Sequence, residues 1–412
     1  MAEAVLEAAP APAPARRSDW PFLLCYALAW AGATAGYGPL LTLLLPLRVA
    51  ELAGSAAVPW LATLTFIGAV SASLANIAWG WASDRTGHRR AWVAVGLVLS
   101  SALLLALPLA TTLAGLIGLL VAWQAALNMV LGPLAAWAGD CVPDRHKGVL
   151  GGLLAFAPAW SGAVGAFVTL PALHDGPGVG FATRVAVLAL IVVASILPLL
   201  LFGPRLMPAP AAKASDASGA SEAPCAPVPI GPVRRMWLAR LLVQLAEATL
   251  FAFIAYWFLS IDRTMHPATM ARIYGLLLAL SVPLALLVGH WADRRARPWR
   301  PLAVLAALVA LGLVIMALAP GKAVALAGYA LFALAMAVFL ALHAGQTLRV
   351  LPRPDRRGRD LGLFNLTNTV PSLIVPWLAL GLVPTLGFGA LFLVLAACAA
   401  LASALLLSIR QA

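Results

Sequence analysis

Gly80-Trp81-Ala82-Ser83-Asp84-Arg85 returns in outline at Gly289-His290-Trp291-Ala292-Asp293-Arg294, and each copy marks the point where a long apolar run gives way to a basic cluster. The copies lie 209 residues apart. A second pair of landmarks, Pro143-Asp144-Arg145 and Pro354-Asp355-Arg356, is offset by 211, so the 412-residue chain reads as two related halves. Duplication of an apolar protein about a polar midpoint is a common construction among secondary transporters.

Composition says what each half is made of. Hydrophobic residues are 63% of the chain and charged residues 10%, with mean hydropathy +0.96; soluble domains carry about 25% charged residues. The chain reads as a membrane protein. About 20 residues of helix cross a ~30 Å hydrocarbon core, and twelve apolar runs are long enough. They fall near 20–46, 58–82, 91–110, 113–138, 149–170 and 183–203, then 236–259, 269–291, 300–319, 322–348, 361–383 and 387–409. In lipid each backbone amide must be satisfied within its own segment, so these runs are expected to be helices.

The expected fold is an all-α membrane protein of twelve transmembrane helices in two pseudo-symmetric six-helix bundles. Residues 1–19, rich in Ala and Pro, read as a disordered tail, with Glu3 and Glu7 where a signal peptide would carry positive charge. Residues 20–203 form the first bundle, 204–235 a linker dense in Ala, Pro and Ser, and 236–409 the second. Most of the 27 lysines and arginines fall in the loops that share a side with both termini. Short basic loops stay in the cytoplasm, so the chain is expected in the cell (inner) membrane with both ends inside. The net charge of +12 is then a topology signal rather than a nucleic-acid footprint. Cys25, Cys141, Cys225 and Cys398 show neither a disulfide framework nor metal-ligand spacing.

Gly80-x-x-x-Asp84-Arg85-x-Gly87-x-Arg89-Arg90, between spans two and three, resembles the signature loop of the major facilitator superfamily, and Gly289-x-x-x-Asp293-Arg294 stands where that family places its repeat. The likeness departs at His88, where the family commonly has arginine, and at Ala296, where the second copy lacks the glycine. Arg359-Asp360-Leu361-Gly362, followed by Asn365, Asn368 and Pro371, more faintly resembles the sugar-transporting branch that includes sucrose-type proton symporters. The resemblance implies a cytoplasmic latch of Gly80, Asp84, Arg85, Gly87 and Arg89, with Gly289, Asp293 and Arg294 as its weaker copy. In it Asp84 faces the start of span eleven, near Asp360 and Leu361. The alternative is that these charges only enforce topology.

The resemblance also implies a cavity lined by spans one, four, seven and ten. Each carries a polar pair three or four residues apart, hence on one helix face: Thr34 with Tyr37, Gln124 with Asn128, Gln244 with Glu247, His343 with Gln346. Such residues line a hydrated cavity or simply hydrogen-bond a neighbouring helix for about 0.6 kcal/mol. Trp123, Tyr256 and Trp257 are candidates for stacking on a solute and for ordinary packing alike. Gly32 with Gly36, and Gly162 with Gly165, suit close helix contact. Of fifteen acidic residues, Glu247 alone lies near the centre of a span, where insertion costs about 2.5 to 3.5 kcal/mol. It fits either a structural carboxyl, neutral or paired with Arg240, or a group that couples transport to protons or touches the solute, with His343 across the cavity.

Several features of drug and sodium-coupled relatives are missing: span four holds no arginine, span five no Gly-Pro-x-x-Gly-Gly, and spans two and four no aspartate within the membrane. No catalytic cluster, metal site or nucleotide-cradling loop emerges, so neither enzyme chemistry nor a cofactor is expected. The reading is a proton-coupled secondary carrier that moves a small sugar-like or amphipathic solute by alternating access. Its expected partners are that solute, protons and the lipid bilayer, with no nucleic acid and no second subunit. The rival is a carrier-fold protein that no longer transports and serves as an assembly factor or sensor.

Overall fold

The computed structural model describes residues 19–170, 179–206, 230–263, 265, 267–294, 299–351 and 354–409. Residues 1–18 of the tail, most of the linker, His174, Cys225 and Ala296 lie outside them. Among the described residues eleven helical stretches are long and apolar enough to cross a membrane, and the last of these is two helices. In Arg357–Leu407 the backbone of Gly387 leaves the helical region (φ 74°, ψ 177°), a conformation that only glycine adopts without strain. Twelve spans result: α1 (Trp20–Ala56), α2 (Ala57–Thr86), α3 (Arg89–Leu109), α4 (Leu113–Cys141), α5 (Asp144–Val168), α6 (Val179–Leu206), α7 (Ile230–Ile261), α8 (Pro267–Arg294), α9 (Trp299–Ala317), α10 (Lys322–Val350), α11 (357–386) and α12 (388–407).

Each half packs in the same way. In the first, α1 lies on α5 and α6, and α4 on α2 and α3; in the second, α7 lies on the α11–α12 stretch and α10 on α8 and α9. Since lipid is as apolar as leucine, close fit rather than exclusion of water holds such helices together. A Cβ on Gly32 would collide with Ser195 of α6, and one on Gly312 of α9 would press into the backbone of Phe332 on α10. Large side chains fill what remains: Trp123, Leu116 and Leu120 in one part of the first bundle, Phe22, Tyr26 and Leu134 in another, Phe339, Leu391 and Phe392 in the second bundle. The halves meet through two matched pairs, α2 against α11 and α5 against α8, with α10 also touching α5.

Proline shapes the cavity-facing helix α1. Pro39 has no N–H and its ring displaces the preceding turn. The helix widens just after it into a π turn over Leu40–Leu44, and the Thr42 hydroxyl donates to the Gly38 carbonyl at 2.8 Å.

Candidate functional site

The acid in each copy of the duplicated stretch caps a helix of the opposite half. Asp84, in the last turn of α2, accepts from the backbone N–H of Gly358 (2.8 Å) and Arg359 (2.9 Å), one to each carboxylate oxygen, in the first turn of α11. Asp293, in the last turn of α8, accepts from Gly148 and Val149 (2.8 Å each) near the start of α5. First-turn amides have no partner within their own helix and carry the positive end of its dipole, so a carboxylate there gains two charge-assisted bonds. Glycine permits the approach: a Cβ on Gly80 would strike the carbonyl of Gly358, and one on Gly289 the carbonyl of Gly148.

Arginines reinforce both acids by different routes. Arg89 Nη2 lies 2.6 Å from Asp84, its Nε 3.1 Å from Asp140, and its Nη1 donates to the Ser83 hydroxyl at 2.6 Å. Asp140 also takes Arg357 across the halves at 2.6 Å. In the second half Arg349 contacts Asp293 directly and donates to the Asp144 carbonyl of the first. Buried Lys147 adds a bond to the Leu348 carbonyl at 3.0 Å. Arg85 takes no part, since its guanidinium stacks on Trp81, 4.3 Å from the ring centre. Arg294 is exposed at the end of α8. Gly87 (φ 69°) closes α2 by donating to the Ser83 carbonyl at 3.1 Å.

Beyond this latched end lies a cavity of about 800 Å³ between the halves. Its lining is buried near the latches, at Tyr26, Ala138, Leu150 and Leu348, and exposed towards the other end, at Tyr37 (37%), Leu43 (38%) and Thr65. The cavity therefore opens away from the latches. The hydroxyls of Ser73 and Thr369 lie 2.9 Å apart across the halves, midway along α2 and α11. Among the described residues, Arg240 and Glu247 are the charged groups on the lining.

Of the residues singled out by spacing, Thr34, Tyr37, Gln124, Asn128 and Glu247 line the cavity, while Gln244, His343 and Gln346 do not. The Thr34 hydroxyl donates back to the Trp30 carbonyl at 2.8 Å. Asn128 accepts from Asn76 Nδ2 at 2.9 Å and donates to the Gln124 carbonyl at 2.9 Å, tying α2 to α4 in the cavity wall. Gln244 stands behind Glu247 and donates to its Oε2 at 2.9 Å. His343 is fully buried, with Nε2 3.0 Å from the Met236 carbonyl and Nδ1 3.3 Å from Arg240 Nη1. It lies behind the wall rather than across the cavity from Glu247. Gln346 is buried and neither end of its amide has a partner among the described residues. Trp123 and Trp257 belong to the packed cores; the aromatic lining comes instead from Tyr26, Trp30, Tyr37, Phe251, Tyr274 and Phe364. Spacing also passed over Asn365, Asn368 and Thr369 as cavity groups, though the polar run on α11 is visible in the sequence.

A family profile described as Major Facilitator Superfamily matches residues 22–353 and 236–411. No curated protein matches the chain by sequence. Among solved structures it is similar to a bacterial homologue of the iron transporter ferroportin in an outward-facing state, with TM-score 0.71 and 18% identity over 94% of this chain and 98% of that one. It is similar too to the proton:xylose symporter XylE (0.71, 13%, 94% and 95%). The human organic anion transporter MFSD10 aligns as completely (0.69, 14%, 96% and 100%). At these identities the likeness is one of fold.

Proposed function

The chain belongs to the major facilitator superfamily, a family of transporters rather than enzymes, and on that footing we propose that it is a proton-coupled secondary carrier of a small organic solute. The observation that carries this reading is the cavity between the halves, shut at one end by two matched acid-to-helix latches and open at the other. Such latches break and re-form as two rigid bundles rock about a central site. With the arginine-rich latched end in the cytoplasm and both termini inside, the conformation described here is outward-facing. One chain encloses the whole cavity, and the carrier works as a monomer.

Glu247 is the coupling group in this reading. It is the acidic residue on the lining among those described, and Gln244 supplies its side-chain hydrogen bond there. Protonation neutralises a charge that is costly at mid-membrane, which gives the two bundles a reason to move only in one ionisation state. A bare metal cation fits this cavity poorly. Among the described residues no cluster of three His, Cys, Asp or Glu side chains could hold one.

Reconstitution into liposomes with a panel of sugars, organic acids and amphipathic cations, under imposed proton and sodium gradients, tests the proposal. Accumulation driven by the proton gradient is expected. Folded protein that moves none of the panel faster than empty vesicles would sink the carrier reading.

A further inference from the structure

Arg240 sits near the latched floor of the cavity within the electrostatic reach of Glu247 but in hydrogen-bond contact with no carboxylate among the described residues. Its Nη1 is 3.3 Å from His343 Nδ1 and its Nη2 3.3 Å from Asn368 Oδ1, while its buried Nε has no partner among the described residues. The histidine contact is defined by the other ring nitrogen: Nε2 faces the Met236 carbonyl at 3.0 Å and carries the hydrogen, so Nδ1 meets Arg240 as an acceptor. Both partners of the guanidinium are thus neutral. No carboxylate among the described residues pairs with it, and Glu247 stands seven positions along α7, about 10 Å of helix rise away.

A cation fixed by neutral acceptors against an apolar wall has a desolvation cost that an incoming negative charge would offset. Two of its five coplanar N–H donors are used, which leaves donors for a pair of oxygens. No second cation among the described residues lines the cavity, so the match is to a single negative charge rather than to phosphate. Leu131, Leu361 and Phe364 supply apolar surface on the same lining. We propose that the solute is a small organic anion whose carboxylate pairs with Arg240, oriented by Asn368, with its less polar body against these side chains. For the word solute this rests on the carrier reading above; for the anion site it does not.

The test is thermal stabilisation of the purified full-length protein in nanodiscs of uncharged lipid, with benzoate and phenylacetate each set against its own amide, and with inorganic phosphate. Both acids are expected to stabilise, the amides and phosphate not. Arg240→Gln should weaken acid binding by about thirtyfold or more, as loss of one partner of a desolvated charge pair does. Arg240→Lys, which guards against a folding defect in the glutamine variant, should keep the preference for acid over amide at reduced affinity. Equal stabilisation by acid and amide, stabilisation by phosphate alone, no stabilisation by either acid, or undiminished acid binding in Arg240→Gln overturns the proposal. So does recovery of acid binding in the double variant Arg240→Gln/Glu247→Gln, because Arg240 would then serve only to balance Glu247. Acid binding without transport of any solute leaves the anion site standing and removes the carrier; transport of sugars without acid binding does the reverse.

Discussion

Asp140 and Arg349 occupy corresponding positions, offset by the same 209 residues that separate Asp84 from Asp293, and they carry opposite charge. In the first half Asp140 engages Arg89, which in turn holds Asp84; in the second, where position 298 is proline, Arg349 reaches Asp293 itself. Two different charge networks thus support one geometry, an aspartate against the start of a helix across the molecule.

The equality of those geometries sets the size of the latch effects. The eroded second motif suggests a lesser role for Asp293, yet both acids accept two backbone bonds of closely similar length. Asp84→Ala and Asp293→Ala should each lose about 1–2 kcal/mol of capping, a shift of roughly 5- to 30-fold towards the cytoplasm-open state. Accessibility of cysteines placed at Leu150 or Leu348 reads this shift. A response from Asp84→Ala alone would restore the asymmetry that the sequence suggests.

Removing the arginine that supports a latch should also cost stability. Arg349→Gln leaves Asp293 buried beside a lost partner and is expected to destabilise by about 3 kcal/mol, with Asp293→Asn/Arg349→Gln recovering most of it. Thermal unfolding in detergent compares the single and double variants. Additive losses would mean that the two side chains do not act as a pair.

Gly80→Val should hold the protein open to the cytoplasm, because its branched side chain would occupy the space of the Gly358 carbonyl. Gly118→Val, placed where an added Cβ meets nothing within 4 Å, is the control and should leave the conformational balance unchanged. Distances between spin labels on α2 and α11 at the latched end separate the two outcomes.

Glu247→Gln keeps the size and hydrogen-bonding capacity of the side chain and removes its ionisation. It should fold normally, lose proton-driven accumulation and retain exchange of solute across the membrane. If it concentrates solute as the parent does at every pH tried, the proton is carried elsewhere or not at all.

Orientation is open to direct labelling. A single cysteine at position 225 should be protected in intact cells and one at position 322 modified from outside, since short arginine-rich loops resist translocation. The opposite labelling pattern would place the latched end and both termini outside.

The spans were legible because lipid imposes a length and forbids unpaired amides, so hydropathy alone finds α2 to α12 to within about six residues, while α1 runs ten residues past its expected end at 46 to Ala56. The last break was legible too, as the pause between the runs ending at 383 and starting at 387, next to Gly387. Which face of a helix looks inward was not. Spacing pairs His343 with Gln346 as readily as Thr34 with Tyr37, yet the first pair is buried behind the wall while Thr347 and Ala344 take its place on the lining. A period of 3.6 fixes which residues share a face; the direction of that face is set by the neighbours, which lie hundreds of positions away. Arg85 and Arg89 make the same point, for two arginines four apart part company once Trp81 offers one of them a ring.

The receiving side of each latch is main chain, the amides of Gly358 and Arg359 and of Gly148 and Val149. Every residue except proline presents such an amide, so drift in the side chain at Arg359 or Val149 leaves the hydrogen bond in place. The closing contact is therefore vulnerable at two aspartates and at the glycines that let backbones touch, Gly358 and Gly148 on the receiving side included, and indifferent to most of what evolution or a selection experiment would write at positions 359 and 149. Resistance or loss-of-function screens on this protein should return changes at positions 84 and 293 repeatedly, and at 359 and 149 chiefly as proline.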